Sequence, residues 1–241
     1  MRYGNRSRGY PAGMERHAAT TYPAWRAGLP RELAWWRDFL RERALADPGY
    51  RRRFDPGMPL QPHLAALLPS AGAAGPPRVL DCAAGPVTGV GKIHGGRALD
   101  LAAVDALAGE YAAILAELGL APPVPSRPGE VERLDALFPA GAFDLVTMTN
   151  ALDHCHDPLL GLRQMLRAAR PGAPVVVEHY RDARDGEYAG LKQWTLDPRA
   201  RDLVVRNDRH RFSVASALPG ASVVADIRSD WMTVVIRMSG T

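Results

Sequence analysis

Residues 78–91, Arg-Val-Leu-Asp-Cys-Ala-Ala-Gly-Pro-Val-Thr-Gly-Val-Gly, constrain the fold more than any other stretch of the chain. A short apolar run ends in an acid and breaks at once into a loop of small residues. In an α/β protein this is how bare backbone is brought up to a nucleotide-like ligand. The strand lifts Asp81 to the carboxyl edge of a sheet, Ala83, Ala84 and Gly85 leave no bulk in the way, and Gly89 and Gly91 keep the following turn thin. A dinucleotide fingerprint would read G-x-G-x-x-G. Here only Gly85 and Gly89 fall near that register, and Pro86 deletes an N–H where a pyrophosphate needs a donor. The loop suits a nucleoside with an amino-acid tail better than a ligand with two phosphates.

Strands and helices alternate after this loop. Residues 97–105 read as the second strand and 106–118 as a helix stopped by Gly119. A Pro-rich stretch, 121–129, leads to a short segment around Val131. Residues 143–150 read as a buried strand and 153–157 as a turn. Residues 158–170 form an amphipathic helix with Asp157 at its N-cap, Pro158 in its first turn and Pro171-Gly172 at its exit. Residues 173–180 make the next strand. The tail offers a short helix at 213–218, then two strands, 221–228 and 231–237, joined by Ser229-Asp230 as a closing hairpin. The expected fold is α/β: a doubly wound, Rossmann-like, seven-stranded and mostly parallel sheet with a terminal antiparallel hairpin, plus N-terminal helices.

The first quarter reads as decoration on that sheet. Residues 1–20 form a flexible basic tail, 21–77 a helical cap and 78–241 the main domain. Within the cap, 30–46 has apolar residues at helical spacing with Pro30 in the first turn. Residues 51–59 are a basic, Pro-punctuated link, 63–69 a short helix, and 70–77 a Gly/Ala/Pro linker. The 241 residues, 46% hydrophobic and 23% charged, describe an ordinary soluble globule with one α/β domain and extra helices. No apolar run approaches the roughly 20 residues that span a bilayer. The basic start has no apolar core and is no secretory signal. Cys82 and Cys155, in separate turns, make a disulfide framework unattractive and a reducing cytoplasm the default. Residues 1–53 carry 12 Arg and 5 acids, a net +7 that leaves −3 for the rest. That arm is either an Arg-lined surface for an anionic substrate or a cofactor carboxylate, or a solvated terminus. No stripe of basic and aromatic residues appears outside it, so nucleic acid is disfavoured as a partner, and no membrane is expected.

Five blocks carry a family resemblance: VLDCAAGP, AVDALAGEY, FDLVTMTNALDHCHDP, the helix ending RAARPGAPVVVEHY, and GLKQW. In this order and spacing, from about residue 78 to 237, they resemble the class I S-adenosylmethionine-dependent methyltransferases of the bacterial small-molecule type. The resemblance implies S-adenosyl-L-methionine as cofactor and methyl transfer to an O or N atom of a small molecule, with secondary metabolism as a setting. It implies that Asp81 and the backbone of Cys82, Ala83, Gly85 and Pro86 face the methionine part. Asp105, with Ala106 beside it, would accept hydrogen bonds from the ribose diol; it lies 24 residues past Asp81, near the roughly 20 expected of such an acid. Asp100 competes for that role from mid-strand. Glu130 would meet the adenine amino group and Val131 would present its N–H to the ring. Asn150 and Ala151 would lie beside the sulfonium. Two residues depart from the family pattern. Ala83 replaces the usual first glycine, which an Ala at ordinary strand-end angles can do, and Glu130 replaces the commoner Asp.

Methyl transfer from a sulfonium is an in-line displacement at carbon, so the protein aligns a nucleophile, excludes water and, for a hydroxyl, removes a proton. His154, in the turn leaving the fourth strand, is the first candidate base, and His179, beside Tyr180, the second; His154 could equally pack on the cofactor or cap a turn. His156 reads as exposed. One tight turn does not supply all the ligands of an ion, so no metal is expected. Gln193 and Trp194 form a wall of the acceptor pocket, or Trp194 only packs its loop. Tyr22 and Trp25 precede a helix where a lid would lie, and Trp35, Trp36 and Phe39 read as core. Three other readings remain: an NAD(P)-dependent oxidoreductase, which Pro86 and the missing G-x-G-x-x-G disfavour; an inactive binding or scaffold subunit, resting on Ala83; and a nucleic-acid methyltransferase, resting on a pI near 9.3.

Overall fold

Apolar strands in this chain are short and rich in Val and Leu, so they are stable only when covered on both faces. The computed structural model describes residues 15–68, 75–181 and 191–239, with backbone alone for 15–20. In chain order the elements are α1 (Glu15–Glu42), α2 (Pro48–Arg51), α3 (Pro62–Ala65), β1 (Arg78–Cys82), β2 (Ile93–His94), β3 (Arg97–Ala98), β4 (Asp100–Asp105), α4 (Ala108–Glu117), β5 (Ser126–Pro128), β6 (Leu145–Thr149), α5 (Pro158–Ala168) and β7 (Val175–Tyr180). They continue as β8 (Thr195–Arg199), β9 (Asp202–Arg206), β10 (Arg211–Ser213), α6 (Val214–Ala217), β11 (Ala221–Arg228) and β12 (Trp231–Met238). Single 3₁₀ turns cover Val131–Ala136 and Leu152–His154.

Seven strands form the central sheet in the order β11-β12-β7-β6-β1-β4-β5. The strands β7, β6, β1, β4 and β5 run parallel, and β12 and β11 turn back antiparallel as a hairpin. This is the doubly wound sheet expected from the alternation. Cys82 at the end of β1 pairs with Val104 and Met148, so the loop after β1 emerges level with Asp105 and Asn150. The chain order reverses at β1, with β4 on one side and β6 on the other. The crevice outside that carboxyl edge is the switch point where doubly wound sheets take ligands.

The period of two along β1 sends Leu80 to one face and Val79 to the other. Leu80, Val146 and Val177 pack with Leu159, Leu162 and Met165 of α5. Val79, Leu145 and Val176 pack under Leu60 and Leu64. Each fully buried aliphatic contributes roughly 1.5–3 kcal/mol relative to exposure. A third cluster joins α1 and α4 through Leu40, Tyr50, Leu107, Tyr111 and Ile114. Gly91 lets two segments cross: a Cβ there would lie 2.1 Å from the Pro59 carbonyl oxygen, which no side chain permits.

Three elements differ from the sequence expectation. The first helix does not begin at Pro30 and end at 46; it runs from Glu15 to Glu42 through Pro23 and Pro30. Each proline costs a backbone hydrogen bond, and contacts of Trp25 and Trp36 with the main domain hold the helix through them. The second strand starts at Asp100, because residues 93–98 form the tight β2–β3 hairpin across Gly95 and Gly96, both at positive φ. Residues 195–213, unassigned in the sequence reading, make a separate antiparallel sheet in the order β10-β9-β8. Its corner meets the large sheet where the Ala225 N–H donates to the Ala200 carbonyl over 3.2 Å. The tail at residues 1–14 and the linker at 69–74 lie outside the described residues.

Candidate active site

The carboxyl ends of β1, β4 and β6 open into a cavity of about 750 Å³ roofed by α1 and the turn after it. That volume falls within the roughly 300–1,000 Å³ of small-molecule pockets. Asp81, Ala83, Ala84, Gly85, Asp105 and Ala106, Glu130 and Val131, Asn150 and Ala151, and His154 all stand on its wall. Most of the sequence-assigned site is therefore gathered in one place.

Asp105 organises the floor. Its Oδ2 accepts the Gly85 N–H over 2.9 Å and its Oδ1 the Leu107 N–H over 2.8 Å. Burial pushes its carboxyl up to about 6, and those two N–H groups pull against the shift. Asp100, its competitor, sits at the start of β4, exposed and bonded to Arg78 over 2.9 Å. Beneath the loop, Asp81 accepts from Thr88 Oγ1 over 2.5 Å and from Thr147 Oγ1 over 3.1 Å. Burial raises it to about 6 against those bonds and the nearby Arg53 and Lys92. Lys92, itself buried and beside Arg53, is lowered to about 8.

Ala83 does not hold ordinary strand-end angles. Its φ is +52°, in the left-handed region that favours glycine. Gly85 is at φ +67°, and a Cβ there would lie 3.3 Å from the Trp36 ring. Of the three aromatics read as core from their spacing, Trp36 and Phe39 do pack on the cluster between α1 and α4, and Trp35 is 55% exposed. All three also line the cavity from the roof, which the spacing alone did not show.

At the methionine end the sequence reading missed two residues. Arg53 donates to the Val87 carbonyl over 3.2 Å and lies 4.6 Å over the Tyr50 ring. The Tyr50 hydroxyl is buried with no hydrogen-bond partner among the described residues, and burial raises it well above a phenol's usual range. An orphaned hydroxyl beside a guanidinium is a fitting receptor for an α-carboxylate, while Asp105 and Glu130 offer acceptors to hydroxyl and amino donors. The donor set fits the nucleoside with an amino-acid tail expected from the loop.

At the other end Asn150, at φ +53°, donates its N–H to the Glu178 carbonyl over 2.7 Å. His154 follows on the cavity wall, its Nε2 3.7 Å from Asp153 Oδ1. His179 stands behind it, buried, with Nε2 2.8 Å from Asp153 Oδ1 and Nδ1 2.7 Å from the Tyr180 carbonyl. A carbonyl only accepts, and the ionised carboxylate only accepts, so both ring nitrogens carry protons. The Asp153 carboxylate and the two hydrogen bonds hold His179 above its usual value despite burial, and Asp153 is held below its own. That geometry leaves His179 no lone pair for a substrate proton.

Several sequence-named residues lie off the cavity. Cys82 is fully buried behind the loop and Pro86 is also buried. Trp194 is 1% exposed and donates Nε1–H to the Cys155 carbonyl over 2.8 Å, so it packs its loop down. The Gln193 N–H donates to the Asp153 carbonyl. Tyr180 is exposed against Trp231, off the cavity wall. Trp25 reaches the cavity, whereas Tyr22 stacks on Trp25 and meets His156 edge-on. His156 is buried and not exposed as its turn position implied, because α1 covers it. In the His-Cys-His turn, His154 lines the cavity, Cys155 Sγ faces the Ala151 carbonyl and His156 faces Glu130 and Glu132. Among the described residues no group of three or more His, Cys, Asp or Glu could hold a metal ion, and no helix is long and apolar enough to cross a membrane.

The chain is similar to known proteins. A model of the family described as methyltransferase domain matches residues 61–218. A demethylmenaquinone methyltransferase of Mycolicibacterium vanbaalenii is 39% identical over 100 residues, 42% of this chain and 40% of the relative, so the match spans about two fifths of that relative's length. The PH0226 protein of Pyrococcus horikoshii has a TM-score of 0.45 at 14% identity, covering 84% of this chain and 99% of that one. An S-adenosylmethionine-dependent methyltransferase of Aquifex aeolicus has a TM-score of 0.41 at 16% identity, covering 80% and 94%.

Proposed function

The chain belongs to the methyltransferase-domain family as an S-adenosylmethionine-dependent enzyme, and on that premise we propose that it methylates an oxygen or nitrogen atom of a small molecule. The observation that carries this reading is the roof. Trp25, Leu29, Trp36 and Tyr50 close over the carboxyl edge of the sheet, which suits a compact acceptor better than a long polymer. A cytoplasmic setting accords with two buried free thiols, and secondary metabolism is the setting the family resemblance implies. In this reading residues 21–77 act as the cap and 78–241 as the catalytic unit.

When bound, the cofactor supplies a methyl group already activated on sulfur. The chain's part is to bind, align and exclude water, and alignment alone can contribute on the order of 7–11 kcal/mol. Asp105 accepts from the ribose diol without releasing Gly85 or Leu107, since each carboxylate oxygen has a second lone pair. Glu130 accepts from the adenine amino group, Val131 presents its N–H to the ring, and Arg53 with Tyr50 takes the carboxylate. Asn150 and Ala151 flank the sulfonium. His154 is the base for a hydroxyl acceptor, worth roughly 10²–10⁴ in rate. Asp153, clamped by His179, faces the charge that His154 gains. An amine that arrives neutral needs alignment alone.

Incubating the protein with methyl-labelled cofactor and extract of its own organism, then identifying the labelled product by mass spectrometry, tests this. A small O- or N-methylated product is expected, and label confined to RNA or protein would refute the reading. With the product in hand, His154→Ala should lower turnover far more than cofactor affinity; equal loss in both would reassign His154 to packing.

A further inference from the structure

The turn between β6 and α5 carries a second histidine that the reaction above does not use. His156 is 7% exposed, and its ring meets Tyr22 at 4.9 Å and Trp25 at 5.3 Å, both near edge-on. Its carbonyl accepts the Thr21 hydroxyl. Three contacts with the same turn of α1 therefore converge on one residue. On its other side, Nε2 lies 3.5 Å from Glu130 Oε2 and 3.6 Å from Glu132 Oε1, ion-pair distances with no tight hydrogen bond. Glu132 is anchored from behind by the Asp157 N–H over 3.1 Å. Among the described residues no backbone N–H anchors Glu130 in this way, and both acids stand on the cavity wall. His156 thus touches both the roof and the acid at the adenine end.

We propose that His156 is a positioning residue for cofactor recognition, holding the Glu130 carboxylate toward the adenine amino group while it seats the Thr21–Trp25 turn of α1 over the same end. The proposal rests on the reading of Glu130 as the adenine contact. The charged and titratable groups facing the ring are Glu130, Glu132, Asp157 and, from α1, the Tyr22 phenol; Trp25 completes that side. The carboxylates raise His156 above its usual value against its burial. Burial in turn raises Glu132, which the imidazolium and the Asp157 N–H counter. Glu132 is buried and Glu130 partly so, and a cation between two such acids offsets their repulsion and the cost of burying their charge. Loss of that charge frees Glu130 and loosens the turn of α1 together.

The test compares S-adenosylhomocysteine with S-inosylhomocysteine, whose 6-oxo group cannot donate to Glu130, by calorimetry on the full chain. One charge-assisted hydrogen bond corresponds to a preference of roughly 10–100-fold for the adenosyl compound. In His156→Asn that preference should shrink to a few-fold, and hydrogen exchange in residues 21–29 should lose its dependence on S-adenosylhomocysteine. Equal weakening of both compounds, with the ratio intact, would overturn the proposal. Glu130→Gln separates the two readings. A ratio unmoved by Glu130→Gln sinks the adenine contact itself, and a ratio abolished there but intact in His156→Asn sinks only the role of His156. Should His156→Asn fail to fold, the wild type answers alone. The raised histidine is protonated below its folded value, so the ratio should hold below that value and decline as pH rises through it. A ratio constant across the histidine's own NMR titration would overturn the proposal.

Discussion

Exchanging the two alanine and glycine positions of the β1 loop should move stability in opposite directions. Ala83 and Gly85 both lie at positive φ, +52° and +67°. For a residue with a Cβ the left-handed region costs about 1–2 kcal/mol. Against this, an alanine in place of a glycine lowers the entropy of the unfolded chain, a gain of about 0.4–1 kcal/mol where the native backbone tolerates it. Ala83→Gly removes the first quantity and forfeits the second, for a net stabilisation of about 0.5–1 kcal/mol. Gly85→Ala does the reverse, and its new methyl arrives 3.3 Å from Trp36, tighter than ordinary contact. Its net cost should reach about 1–2 kcal/mol. Urea unfolding followed by circular dichroism reads both, with unchanged m-values as the condition for comparing midpoints. Cofactor affinity gives a second reading, because Gly85→Ala must push the Trp36 ring aside by a few tenths of an ångström while Ala83→Gly displaces nothing. If Ala83→Gly destabilised the protein, or both variants moved the same way, the strain argument would be wrong.

Asp105→Ala should weaken S-adenosylhomocysteine binding by roughly 10–100-fold, the loss of charge-assisted hydrogen bonds. Because the carboxyl is raised to about 6, wild-type affinity should fall as pH drops through that value, and calorimetry on Asp105→Ala should find the acid-side fall gone. Arg53→Met should weaken S-adenosylhomocysteine about tenfold or more and leave 5′-methylthioadenosine, which has no carboxylate, unchanged; parallel losses would remove Arg53 from the carboxylate site. His179→Gln and Asp153→Asn should each cost about 3–5 kcal/mol in urea unfolding, and the double variant less than their sum, because one change alone strands a buried charge. Asp153 is held down and His179 up. Their joint contribution is lost as pH falls through the lowered carboxyl or rises through the raised imidazole, and is greatest between.

The legible parts of this chain were those whose signal is local. β1, β6, β7 and the closing hairpin are apolar runs with turn residues at their ends, and Asp157 announces α5 by its position before a proline. Asp105, Glu130 and Asn150 follow strand ends, so their gathering at one edge follows from the winding of the sheet. What stayed hidden depends on contacts distant in sequence. Pro23 and Pro30 argue locally against α1, and only packing on residues distant in sequence, Gly85 against Trp36 and His156 against Trp25, overrules them. Pro198 and the interspersed arginines masked β8–β10, although Leu196, Leu203 and Val205 are buried. His156 looked like any polar turn residue until α1 covered it. Arg53 was one of a run of three arginines, and nothing local distinguishes the one that turns inward.

The contact between Ala225 and Ala200 has a consequence beyond the fold. β11 is the outermost strand on its side, eight residues long, with Val224 59% and Ile227 38% exposed. Such a margin invites another chain to add itself. The corner of the small sheet occupies a backbone donor of that margin, and Asp226 and Arg228 place charge along the remainder. Residues 195–213 thus take up part of the strand edge that an incoming chain would otherwise pair with.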